Sequence, residues 1–238
     1  MSLNLELKKI KFIMDSGINF FLQNSINSRY QIKKEIDTNN NKIIDKNIKD
    51  LSTLSELEIY IKNSDVCALK KNAKKTVFSD GNPKSRVMII GEAPGAEEDN
   101  LGLPFVGLAG KLLDKMLNSI NLDRKSVYIT NVIPWRPPNN REPSTEEIIQ
   151  CMPFIQKHIE LIKPNLIILL GGTASKAILA TNIGITKLRG SWHEYKNLDI
   201  DDPIKVRAIY HPAYLLRNPI KKKDAWTDLQ EIQKLLIK

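Results

Sequence analysis

Residues 91–110, GEAPGAEEDNLGLPFVGLAG, bring together groups that can act on a small planar ligand. Glu92, Glu97, Glu98 and Asp99 stand among five glycines, with Phe105 beside them. Glycine lets backbone approach a ligand closely, and an aromatic face receives a flat ring. The combination predicts a pocket for an uncharged planar group. Asn131 interrupts an otherwise apolar run, VYITNVI. Its amide either caps a backbone turn or offers one donor and one acceptor to a base edge. His211 closes another apolar run just before Pro212. A histidine there either braces the turn or donates to a carbonyl oxygen on which negative charge develops. AYLLR, residues 213–217, is expected as a loop whose two leucines form an apolar wedge beside Arg217 and Lys221 to Lys223. Proteins that unstack DNA insert such wedges. Arg136, Arg141 and Arg189 are expected to add phosphate contacts.

The elements that must position these residues follow from periodicity. Apolar runs at 86–90, 127–133, 165–170 and 205–210 read as buried strands. Amphipathic helices are expected over 51–62, 110–120, 173–180 and 223–236. Another begins at Ser144, with Glu147 completing a capping box, and runs toward Ile162 with a kink or break at Pro153. The pattern predicts an α/β three-layer sandwich with a central four-stranded parallel sheet flanked by helices. The strands end at Glu92, Asn131, Gly171-Gly172 and His211, and in such sheets ligands bind where the carboxyl ends gather. His158 and His193 are given structural or surface roles. Residues 1–50 read as a polar, partly flexible helical extension, and 51–238 as the main domain.

Composition bounds the rest. The chain has 238 residues, 42% of them apolar, and a formal charge of +9. That balance suits a polyanion partner, although lysine-rich composition alone gives the same number. No apolar run reaches the roughly 20 residues needed to cross a bilayer, and no secretory leader is evident. A cytoplasmic, monomeric protein without membrane attachment is expected. No Walker lysine-serine pair follows the glycine-rich loop, and its carboxylates would repel phosphate, which argues against a nucleotide-processing enzyme.

Three motifs, GEAPGAEEDNLGLPFVGLAGKLLDKML, TNVIPWRPPNNREP and YHPAYLLRNP, closely resemble the family 4 uracil-DNA glycosylases, over residues 63–236. The resemblance implies a repair enzyme that flips uracil out of double- or single-stranded DNA, hydrolyses its N-glycosidic bond and leaves an abasic site. It implies that Phe105 stacks on uracil, that Asn131 reads its edge and that His211 contacts its carbonyl. It further implies that Ala93 and Gly95 line the base pocket, and that Glu92 and Glu98 are the catalytic candidates, matching acidic positions linked to water or to pocket organisation. Family members typically hold a 4Fe–4S cluster through four cysteines. Here Cys67 and Cys151 match two of them, while Ser64 and Trp135 replace the others, so no cluster and no other cofactor is expected. Gly95 stands where better-known relatives exclude thymine with a tyrosine, and the short 135–143 span lacks the insertion that traps some relatives on DNA. The alternative is a catalytically weak or inactive nucleic-acid-binding member of the same fold.

Overall fold

The computed structural model describes residues 47–197, 200 and 202–237. The extension expected over residues 1–50 lies outside them up to residue 46. Its last residues form a short 3-10 turn, Ile48–Asp50, tied to the main body where Lys157 Nζ donates to the Lys49 carbonyl at 2.9 Å.

Helix α1 (Leu54–Asn63) opens with a capping box between Thr53 and Glu56 and buries Leu57 and Ile61. The strands follow as β1 (Asp80–Gly81), β2 (Val87–Gly91), β3 (Tyr128–Asn131), β4 (Leu166–Leu170), β5 (Trp192–Tyr195) and β6 (Ile204–Ile209), in spatial order β1-β3-β2-β4-β6-β5. Strands β3, β2, β4 and β6 are parallel. They are buried almost throughout, as parallel strands covered on both faces must be. The expected four-stranded parallel core is therefore present, within a mixed six-stranded sheet. Strands β1 and β5 add antiparallel edges to β3 and β6. Neither edge gives an apolar run: β1 is two residues long, and β5 exposes Trp192 and Glu194.

Side chains alternate across the sheet. Met88, Ile90, Tyr128, Ile167, Leu169 and Val206 face a core shared with α1 and α4 (Thr145–Ile162). Val87, Ile89, Ile129, Ile168 and Ile209 face a second core with α3 (Leu108–Asn118) and α8 (Lys222–Leu236). This is the three-layer arrangement. The remaining α-helices among the described residues are α2 (Ala96–Leu101), α5 (Gly172–Leu179), α6 (Ile185–Leu188) and α7 (Pro212–Arg217).

Helix α4 runs without a break through Pro153 to Ile162, the span expected from the Ser144 cap. The residue four positions earlier, Ile149, is exposed, so the carbonyl that proline leaves without a donor lies on the solvent side. Residues 213–217 are not a loop but most of α7, with His211 as its cap and Pro212 at its first position. Polar Thr130 fits a buried strand because its hydroxyl donates to the Phe78 carbonyl at 2.7 Å.

His158 has the structural role expected of it. It is buried, with Nδ1 2.9 Å from the Tyr128 hydroxyl and its ring 4.5 Å from that of Phe78. Burial pushes its pKa down to about 3. The unfolded ring therefore binds a proton below about pH 6.5 while the folded one stays neutral until about pH 3, so stability is complete above pH 6.5 and falls with acidification. By pH 4 this one group should remove on the order of 3 kcal/mol. Thermal midpoints measured between pH 8 and pH 4 should fall more in the wild type than in His158→Gln, whose own midpoint is lower at neutral pH. No helix among the described residues is long and apolar enough to cross a membrane.

Candidate active site

The parallel register sets the site. Gly91 of β2 lies opposite Asn131 of β3, and Leu170 of β4 opposite Ile209 of β6, so the loops after all four strands leave the same edge. From β2 the chain moves to β3 on one side and later returns to β4 on the other. The β2–β4 boundary is thus a switch point, where a crevice opens between diverging loops. A cleft of about 710 Å³ lies at this edge, lined by Glu92, Phe105, Asn131, Gly171, Thr173 and His211 among others.

The carboxamide of Asn131 is 5% exposed, and its Oδ1 has no hydrogen-bond partner among the described residues. A buried acceptor without a partner is costly, and the account that removes the cost is a ligand donor. Gly91 keeps the space beside it open: a Cβ there would lie 2.4 Å from both Asn131 Oδ1 and Phe105 Cζ. Phe105 is buried, with its ring centroid 5.7 Å from that of His211. Its φ of 54° is a left-handed value that non-glycine residues seldom adopt.

His211 caps α7, and its Nδ1 accepts from the Ala213 backbone N–H at 3.1 Å. An Nδ1 that accepts carries no proton, so the neutral ring bears its hydrogen on Nε2 as a donor. Burial, reinforced by Arg217 and opposed by Glu98, lowers its pKa to about 4. It is therefore a neutral donor at physiological pH.

The two carboxylates expected at catalytic positions, Glu92 and Glu98, have different surroundings. Glu98 accepts from the backbone N–H groups of Gly95 (3.1 Å), Val106 (3.0 Å) and Gly107 (3.0 Å). It fastens the loop on both sides of Phe105, and its lone pairs are largely committed. Glu92 lines the cleft, and burial raises its pKa against the effect of a hydrogen bond from Thr173, with Glu142 opposite adding to the rise. Glu92 is the carboxylate free to face a substrate. Asp99 is buried as well, accepting from the backbone N–H groups of Lys74 and Lys75. Much of the loop's acidity is thus structural, a role that carboxylates close in sequence do not reveal.

Ala93 and Gly95 line the cleft, as do Arg141 and Arg217. Arg141 also pairs in fork geometry with Glu147 at 2.5 and 2.8 Å. Arg136 lies outside the lining, its Nε donating to Asn140 Oδ1 at 2.7 Å. Two expectations fail here. Leu215 is 1% exposed and belongs to the core beside Leu229, so Leu216, 42% exposed, is the only leucine of the pair able to act as a wedge. Arg189 is no free phosphate ligand: its Nε bonds the fully buried Asp228 at 2.8 Å, its guanidinium lies over the Tyr210 ring, and Arg207 shares the same carboxylate at 2.7 Å. That charge cluster braces α8 against the sheet.

The four positions expected to match cluster ligands are Ser64, Cys67, Trp135 and Cys151. All are buried. The Trp135 indole, 1% exposed, donates to Thr76 Oγ1 at 3.0 Å and packs edge-on against Phe154. The two thiols neighbour each other; the hydrogen bond from Cys151 is the main cause that lowers Cys67 to about 7, and it pushes Cys151 up. A 4Fe–4S cluster needs four thiolate ligands, and an indole fills the place of one while ligating nothing. The residues present do not fit that group. Among the described residues no set of three or more His, Cys, Asp or Glu side chains could hold a metal ion.

Comparison with known proteins agrees with this geometry. The family model for the uracil DNA glycosylase superfamily matches residues 78–230. The chain belongs to that superfamily. It is 39% identical over 189 residues to a type-4 uracil-DNA glycosylase of Archaeoglobus fulgidus, covering 78% of this chain and 94% of the relative. A Pyrobaculum aerophilum protein of the same description is 41% identical over 186 residues, 76% of this chain and 91% of the relative. One from Thermotoga maritima is 42% identical over 159 residues, 66% of this chain and 80% of the relative. Glu92, Asn131, Gly171 and His211 converge on the cleft from the ends of four strands, as the order of the apolar runs led one to expect.

Proposed function

We propose that this protein is a uracil-DNA glycosylase that hydrolyses the N-glycosidic bond of uracil turned out of DNA, leaving an abasic site. The observation that carries the reading is the unpartnered, buried Oδ1 of Asn131 facing the same cleft as Phe105 and the His211 ring. Uracil's N3–H is the donor that acceptor lacks, and the amide's N–H₂ suits the adjacent carbonyl oxygen. Cytosine presents the reverse pattern. Phe105 supplies the stacking face.

Breaking the bond between C1′ and N1 leaves the electron pair on uracil and positive charge on the sugar. Nε2–H of His211 is the donor for the uracil carbonyl that takes up that charge. The Glu92 carboxylate stabilises the sugar cation and orients the water whose oxygen forms the new bond to C1′, and the proton that water loses balances the uracil anion, which leaves as neutral uracil. Glu98 holds the loop rather than entering the reaction. DNA in either single- or double-stranded form is the substrate, bound by a monomer through Arg141, Arg217 and adjacent lysines. Flipping makes the bond reachable. Labelled oligonucleotides carrying U:G, U:A, T:G, hypoxanthine or single-stranded U, treated with alkali after incubation, test the reading. Strand breaks at uracil and not at thymine are expected; breaks at neither, or equally at both, would count against it.

Leu216 is the wedge in this reading. Leu216→Ala should slow excision about tenfold on duplex substrate and leave single-stranded substrate within about twofold, because an unpaired base needs no unstacking. Equal losses on both substrates would remove the wedge.

The protein works without an iron–sulfur cluster, with Trp135 packed in that region of the core. Anaerobically purified protein should contain less than about 0.1 iron per chain, far below the four of a single cluster. Stoichiometric iron with acid-labile sulfide would contradict this.

A further inference from the structure

Phe105 needs an explanation that its own sequence neighbourhood does not supply, because its backbone sits at φ 54° and its ring has to lie flat under a base. Its carbonyl oxygen is held from two sides. Gly110 of α3 packs so closely that a Cβ there would lie 1.7 Å from the Phe105 oxygen. The guanidinium of Arg124, in the turn between α3 and β3, donates to that same oxygen from Nη2 and to the Pro104 carbonyl from Nη1 at 3.2 Å. Its other bonds fix where it stands: Nη1 meets Asp80 Oδ2 of β1 at 2.5 Å, and Nε meets Asp114 Oδ1 of α3 at 2.8 Å.

We propose that Arg124, fixed by Asp80 and Asp114, is a positioning residue that holds the Pro104–Phe105 backbone and thereby the face on which the excised base stacks. Arg124 lies outside the cleft lining and touches no substrate. It joins the sheet edge, the catalytic loop and α3 through one planar group. Only a guanidinium can do this: its fork directs fixed N–H donors at four acceptors at once, while a lysine offers three rotating donors from one point. With the clamp absent, φ at Phe105 has a route back to the commoner region, and the ring turns with it.

The inference rests on the base-excision reading, so the tests keep the two apart. Single-turnover excision, inhibition by free uracil, affinity for undamaged duplex and thermal midpoint are measured on wild type, Arg124→Lys and Arg124→Met. Leu57→Ala, a core truncation in α1 on the face of the sheet opposite Phe105, serves as a destabilised control. All assays run well below the lowest midpoint. Both Arg124 variants should lose about 10- to 100-fold in excision rate, the scale for a displaced group near the reacting centre. Free uracil should inhibit them about tenfold more weakly, while duplex affinity stays within about twofold because the phosphate contacts are untouched. Leu57→Ala should lower the midpoint yet keep excision and uracil inhibition near wild type. Arg124→Lys keeps a cation facing both aspartates, so it remains informative should Arg124→Met fail to fold. Wild-type excision and uracil inhibition in folded Arg124→Lys would overturn the clamp. So would losses in Leu57→Ala equal to those in the Arg124 variants, which would assign the effect to stability. A wild type that releases no uracil would overturn the base-excision reading instead, and the clamp with it.

Discussion

Asn131→Ala should lower kcat/KM for uracil in DNA by about 10³-fold or more while leaving the fold intact. The magnitude follows from what the buried pocket would then contain. Uracil presents an N3–H donor and a carbonyl acceptor to the Asn131 amide, and truncation leaves both without their partners at a buried position. Sites built to hydrogen-bond a substrate lose about 10⁴–10⁵ in discrimination when one side of the match is missing, and a single orphaned group costs roughly 1–3 kcal/mol. The fold has less at stake, since Oδ1 has no partner among the described residues. Backbone pairing of Asn131 with Gly91 does not involve the side chain. Asn131→Asp should be as slow, because a carboxylate offers only acceptors and meets the uracil carbonyl with like charge. Single-turnover excision with circular dichroism as a fold check measures this, and a loss under tenfold would take base reading away from Asn131.

His211→Ala should act on the other half of the reaction and slow the chemical step by about 10²–10³-fold, the usual cost of one donor aimed at developing charge. Duplex affinity should hardly change, because the ring meets the base and not the phosphates. The capping bond to Ala213 implies a second, distinctive result. With a pKa near 4, His211 is neutral across the physiological range, so its donation needs no protonation step. Wild-type excision should therefore show no gain from His211 as pH falls from 8 to 5. Protonation near pH 4 would place a hydrogen on Nδ1 against the Ala213 N–H and break the cap. A rate that climbed with an apparent pKa between 6 and 7, and lost that limb in His211→Ala, would mean a cationic histidine instead.

These positions were visible in the sequence because each breaks a local rule. Asn131 is polar in a buried strand, His211 precedes a proline at a strand end, and the glycine-rich loop carries charge. The parallel core was legible for the same physical reason: strands covered on both faces are continuous apolar runs. What stayed hidden depends on partners distant in sequence. The short edge strands β1 and β5 have no apolar period of their own and exist because β3 and β6 offer free edges. Leu215 and Leu216 look alike in sequence, and only helix α7 turns one into the core and leaves the other outside. His211 at the cap and Pro212 at the first position were a signal for that helix. Arg189 reads as one basic residue among many until Asp228, on α8, takes its charge. Arg124 was silent in the same way, its acceptors coming from β1, the Phe105 loop and α3. Glu98 and Glu92 share a motif, and only the backbone N–H groups around Glu98 separate the one that holds the loop from the one that faces the cleft.

The measurement that tests the account most directly is the release of free uracil. Purified protein is incubated with a uracil-containing oligonucleotide, and the small-molecule fraction is resolved by mass spectrometry beside the intact strand. The account predicts one uracil freed for each abasic site formed, with release nearly abolished in Asn131→Ala and His211→Ala. Tight binding of the oligonucleotide with no uracil released, in wild type as in both variants, would contradict it and leave a nucleic-acid-binding protein on a glycosylase fold.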